Sequence, residues 1–130
     1  MDKTVKHCLK RSKYDLEMAS KKNNLTLVKR KVLQYVKELS GDIKVNQAIL
    51  FGSWAKGNPR HFSDIDIAIV SGDFSRFKRV RNIAFLLSRA GKIDSRIEPL
   101  PLTPEEIKYP DNRSFAAEIL ETGKVMYTAH

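Results

Sequence analysis

The 130-residue chain holds one cysteine, Cys8, so it can close no internal disulfide. A reducing, cytoplasmic setting is expected. No apolar run approaches the roughly 20 residues of a membrane span. The N-terminus lacks the apolar centre of a secretory signal, so neither export nor a membrane partner is expected. Acids are scarce: 15 Asp plus Glu stand against 24 Lys plus Arg, a net charge of +9. That excess favours an anionic partner, whether nucleotide, nucleic acid or acidic protein face. Aromatics make up only 8% of the chain. Without an aromatic-rich strand or a recognition-helix pattern, a nucleic-acid-binding module is kept only as an alternative. His7, His61 and His130 show no ligand spacing. There is no internal repeat and no low-complexity linker.

What is present reads as one globular domain. Residues 2–21 have the stripe of a basic amphipathic helix, with Val5, Cys8, Leu9, Leu16 and Ala19 near one face. Asn23-Asn24 is expected to break it. A second helix is predicted over 26–39, stopped by Gly41. Gln47 to Phe51 reads as a strand, and Asp64 to Val70 as another. A helix over 76–89 is predicted to face inward through Phe77, Val80, Ala84 and Leu87. Lys92 to Leu100 reads as a third strand, with Asp94, Arg96 and Glu98 on one face. Thr103-Pro-Glu-Glu106 is a capping box with Pro at the first helical position. Ser114 starts another helix, and Lys124 to Thr128 reads as a last edge strand. The order predicts an α/β (α+β) fold, a mixed sheet with helices packed on one side. Residues 1–42 are expected to be N-terminal basic helices packing on a core of residues 43–130.

The chemistry concentrates in residues 51–70. Asp64 and Asp66 alternate with isoleucines, so both carboxylates leave one strand face, about 6.5–7 Å apart along its axis. Asp is a poor strand former, and two like charges on one face repel. A hard divalent cation such as Mg²⁺, which takes oxygen ligands and substrate phosphates, would offset that cost. Upstream, Gly52-Ser53 follows the first strand. Glycine lets backbone approach a phosphate closely, and a helix starting at Ser53 would aim N–H groups at the anion. Lys56 and Arg60 could neutralise phosphate charge. Trp54 could stack on a base or pack on the sheet. His61 could touch a phosphate, and Cys8 is expected in the core.

Gly52-Ser53-x-Ala55-x-Gly57 followed by Ser63-Asp64-x-Asp66 resembles the signature of the DNA polymerase β-type nucleotidyltransferase superfamily. The short chain is similar to its minimal nucleotidyltransferase (MNT) branch. The resemblance implies that Gly52 and Ser53, with Lys56 and Ser63 nearby, hold a nucleoside triphosphate, ATP as the expected substrate. It implies two Mg²⁺ ions on Asp64 and Asp66, with a third carboxylate from a neighbouring strand. Glu98 is the first candidate for that carboxylate and Asp94 the alternative. The implied activity is metal-dependent transfer of NMP, AMP from ATP, to a hydroxyl. Residues 9–19 loosely resemble the opening helix of HEPN-type proteins. The MNT branch often acts beside separate HEPN toxins, so the expected partner is a HEPN-type protein, with a homo-oligomer as the alternative. A non-catalytic antitoxin or binding subunit is the rival from another class.

Overall fold

The computed structural model describes residues 13–57, 59 and 63–129. In chain order the elements are α1 (Lys13–Leu39), β1 (Gln47–Phe51), α2 (Gly52–Lys56), β2 (Ile65–Val70), a 3-10 turn (Arg76–Lys78) and α3 (Arg79–Ala90). Then come β3 (Ile97–Leu102), α4 (Pro104–Lys108), α5 (Phe115–Thr122) and β4 (Lys124–Thr128). The sheet runs β3-β2-β1-β4. β1 pairs antiparallel with β2 and β4, and β2 pairs parallel with β3. Among the described residues no helix is long and apolar enough to cross a membrane.

β2, Ile-Asp-Ile-Ala-Ile-Val, is central and apolar at every position but Asp66, so both of its faces can be covered. On one face Ile65, Ile67 and Ile69 meet Val32, Tyr35 and Leu39 of α1 and Leu86 and Ala90 of α3. On the other, Ala68 and Val70 join Ile49 and Leu102 under Ala116 and Ile119 of α5. The two long helices thus share one side, and the short α5 lies on the opposite one. Asp66 belongs to the α5 side, where it is half-buried.

Three local expectations are corrected. Asn23-Asn24 does not break the first helix, because α1 runs unbroken from Lys13 to Leu39. Asn costs under about 1 kcal/mol in a helix interior, and the buried row Val28, Val32, Tyr35, Val36 and Leu39 outweighs it. The expectation that Cys8 is core lies outside the described residues, as do those for Arg60 and His61.

The third strand starts at Ile97, not Lys92. Asp94 Oδ1 accepts the Arg96 backbone N–H at 2.9 Å, a side-chain turn that competes with extended pairing. The strand then continues through Pro99 and Pro101, which an edge strand tolerates because those positions need no ladder donor.

The helix over 79–90 faces the other way from the expected one. Leu86 and Ala90 are buried, whereas Phe77, Val80, Ala84 and Leu87 are exposed. Specific bonds to α1 and the segment after it select this face. Tyr35 donates its hydroxyl to Leu86 O at 2.7 Å. Arg89 Nη2 meets Asp42 at 2.9 Å and Nη1 meets Glu38 at 3.8 Å. Burial pushes the Tyr35 phenol well above its usual range. Tyr35→Phe is therefore expected to cost about 1–2 kcal/mol, read as a lower urea midpoint at unchanged slope. An unchanged midpoint would show that this bond does not hold α1 to α3.

The capping box appears as read: Thr103 Oγ1 accepts the Glu106 N–H at 3.3 Å, and Glu106 Oε1 accepts the Thr103 N–H at 3.1 Å. Ser114 caps α5 by accepting the Ala117 N–H at 3.2 Å.

Candidate active site

β1 ends in extended backbone at Phe51 and turns sharply at Gly52, whose φ is +72°. A side chain is disfavoured there on backbone grounds alone. It is also excluded by space, since a Cβ on Gly52 would collide with Asp66 Oδ2. The turn backbone thus lies directly against the Asp66 carboxylate. The N-cap residue of α2, Phe51, has no side chain that can cap it, so the helix start does not supply its own cap for the first N–H groups. Ser53 is half-buried in this first turn, and Lys56 is exposed in the last. α2 ends on Gly57, φ +79°, where a Cβ would meet nothing within 4 Å among the described residues. Trp54 packs into the core, and its Nε1 donates to Ser63 O at 3.4 Å. Of the two expectations for that ring, packing is the one seen.

The acids sit at the same end of the sheet. Register pairs Asp66 with Phe51 on one side and with Glu98 on the other. Paired residues of a parallel ladder send side chains to the same face, so Asp66 and Glu98 are neighbours. Asp64 lies exposed just before β2. Burial raises the Asp66 pKa above the ordinary carboxylate value, and the negative charges of Glu98 and then Asp64 add to the shift.

Asp94 is engaged elsewhere. Its two oxygens accept Arg96 Nε at 3.1 Å and Nη2 at 3.0 Å. Hydrogen bonds from the Arg96 side chain hold its pKa below the usual range. A depressed native pKa stabilises the fold above the ordinary carboxylate range, and this stabilisation is lost as pH falls through the native value. Asp94→Asn should therefore lower the melting temperature at neutral pH, and the gap from wild type should close in acid. A gap that persists unchanged in acid would point to something other than the charge.

Among the described residues no three His, Cys, Asp or Glu side chains form a ready metal cage. The donor set of Asp64, Asp66 and Glu98 is nonetheless all oxygen and carries mutual repulsion, as the raised Asp66 value shows. These residues fit Mg²⁺, which needs one or two carboxylates, keeps several waters and takes the rest from phosphates. They do not form a preformed, fully liganded site.

A cleft of about 290 Å³ opens over Gly52, Lys56 and Asp66, walled by Phe51, Phe115, Glu118 and Thr122. Phe51 and Phe115 meet edge to face, 5.6 Å between centroids. A larger cavity of about 580 Å³ lies at the far end of the sheet, past Val70 and Leu102, and none of the predicted site residues lines it. Of the two, the smaller cleft is the one lined by Gly52, Lys56 and Asp66.

A family model described as "Polymerase beta, Nucleotidyltransferase" matches residues 33–130. The chain belongs to this family. No curated protein matches it by sequence. Among solved structures, this nucleotidyltransferase chain is similar to a toxin–antitoxin solved with AMP-PNP, at 22% identity and TM-score 0.52, over 78% of this chain and 74% of that one. It is similar to a Sulfolobus solfataricus protein described as a nucleotidyltransferase, at 20% identity and TM-score 0.53, over 92% of this chain and 91% of that one. A toxin–antitoxin MntA–HpeT mutant matches at 22% identity and TM-score 0.50, over 75% and 73%.

Within this chain, the structure brings Gly52, Asp66 and Glu98 together, with Asp64 within electrostatic reach and Lys56 on the cleft wall. Ser63 lies beside Trp54, to which its carbonyl is bonded. Sequence reasoning did not place Phe115, Glu118 and Thr122 in the cleft. The spacing showed that α5 exists, but which of its residues meet Gly52 depends on how it crosses β1.

Proposed function

We propose that this chain transfers a nucleoside monophosphate, AMP from ATP, to a hydroxyl on a HEPN-type protein partner. One observation carries the reading. Asp66 touches the Gly52 turn on one side and neighbours Glu98 on the other. A carboxylate group so placed, with repulsion relieved by a cation, adjoins a backbone turn suited to phosphate oxygens. Family membership supports nucleotidyl transfer as the reaction class. The adenine nucleotide analogue and the toxin–antitoxin assembly of one structural relative support ATP and a protein acceptor.

In this reading the N–H groups of Gly52 and Ser53 hold phosphate oxygens, and Lys56 and Ser63 supplement them. Asp64, Asp66 and Glu98 would hold Mg²⁺, which when bound supplies the positive charge opposing the phosphates. The ladder register beside Asp66 supports Glu98 over Asp94, whose oxygens are taken by Arg96. The acceptor oxygen attacks the α-phosphorus, its proton passes to the Glu98 carboxylate, and the bond to the β-phosphate breaks. Pyrophosphate leaves, and the acceptor carries the monophosphate ester.

The test is incubation with α-labelled ATP, Mg²⁺ and a HEPN-type partner encoded beside this chain. Label should move to the partner and stay behind with Asp64→Asn/Asp66→Asn. Neutralisation of the partner by that double variant, with no label transferred by wild type, would instead establish a binding subunit.

A further inference from the structure

The row Phe77, Val80, Ala84 and Leu87 has helical spacing but no use inside the fold. Phe77 is 87% exposed and Val80 83%, because Leu86 and Ala90 occupy the interior. Single exposed apolar side chains are ordinary, but an exposed aromatic on the 3-10 turn followed by exposed apolar residues along α3 marks a contact surface. Phe77 also stands with the exposed Tyr109 at the mouth of the 580 Å³ cavity. The row thus leads into a recess able to take a bulky side chain.

The flanks carry one sign of charge. No acid occurs from Phe74 to Ile93, while Arg76, Lys78, Arg79 and Arg81 surround Phe77 and Val80. Arg79 is paired with Glu106 at 3.1 Å. Lys78 and Arg81 are exposed and form no ion pair among the described residues.

We propose that this face of α3, with the 3-10 turn before it, docks an acidic amphipathic helix of a protein partner. Its apolar ridge would lie along Phe77, Val80 and Leu87, with its acids toward Lys78 and Arg81. Charge selects this occupant. A second copy laid on the same face would bring Lys78 and Arg81 against their own kind in a chain of net charge +9. A nucleic acid would meet the cations but would have no need of a row of aliphatic side chains. The inference does not require transfer chemistry, and its readout is independent of it.

The test uses the whole chain and two labelled peptide helices with the same leucine ridge, one flanked by Glu and one by Lys. Fluorescence anisotropy should show the Glu peptide binding at least about tenfold tighter, with affinity falling as salt rises. Phe77→Ser/Val80→Ser should weaken it about tenfold or more, the loss expected of a central aromatic anchor, without changing the melting temperature. Arg81→Glu should weaken it and flatten the salt dependence. Equal binding of both peptides, no binding, or no effect of the double variant would overturn the proposal. So would Phe77- and Val80-dependent self-association in light scattering. Capture of single-stranded DNA or anionic vesicles in place of the Glu peptide would also overturn it.

Discussion

Asp66→Asn should cut transfer sharply and at the same time make the protein more stable. The two effects share one cause. Burial and the charges of Glu98 and Asp64 raise the native pKa of Asp66. The native state therefore holds this proton more readily than the unfolded chain does. Stability falls as pH rises from the ordinary carboxylate range through the raised value, and the penalty is fully present above that value. Neutral Asn removes it, so the melting temperature at neutral pH should rise. Wild type should gain stability on mild acidification, and that gain should be absent in the variant. Transfer should fall roughly 10²–10³-fold, the range for deleting one preorganised electrostatic group. A variant that is both active and no more stable would show that Asp66 neither bears strain nor serves the reaction.

Gly52→Ala should be far more damaging than Gly57→Ala, although the two glycines have nearly the same φ, +72° and +79°. Any L-residue in that conformation costs about 1–2 kcal/mol. At Gly57 the added methyl meets nothing within 4 Å among the described residues, so the backbone cost is the expected effect. At Gly52 it enters the space of the Asp66 carboxylate. Either the turn or the acid must move, and both belong to the proposed site. Gly52→Ala should lose ATP binding as well as stability, whereas Gly57→Ala should keep ATP binding. Thermal melts with and without Mg²⁺ and ATP separate the two effects. Equal behaviour of the pair would mean that the approach of Gly52 to Asp66 has no functional weight.

The contrast also marks what the sequence makes legible. Alternation of Asp64 and Asp66 with isoleucines, and Gly-Ser after an apolar strand, are short-range patterns with few physical solutions. The strands and the turn can be read directly from them. The contact between Gly52 and Asp66 is different, because it follows from the register that pairs Phe51 with Asp66 across the fourteen residues between them. Direction was lost where two patterns competed. Residues 76–90 offer one apolar row at 77, 80, 84 and 87 and another around 86 and 90, and nothing local ranks them. Bonds from Tyr35, Glu38 and Asp42 make the choice. Propensity misled at Asn23-Asn24, where a buried row overrides a weak helix preference. Alternation misled at Asp94, where a side chain binds its own backbone and delays the strand. The α5 wall of the cleft was invisible because it depends on packing alone.

In the proposed reaction, acids hold the nucleotide through a cation beside the Gly52 turn. Calorimetric titration of ATP, with and without Mg²⁺, into wild type and Asp64→Asn/Asp66→Asn tests this most directly. Wild type should bind ATP only with Mg²⁺, and the double variant should not bind under either condition. ATP binding of equal strength in the double variant, or in wild type without the cation, would contradict the account.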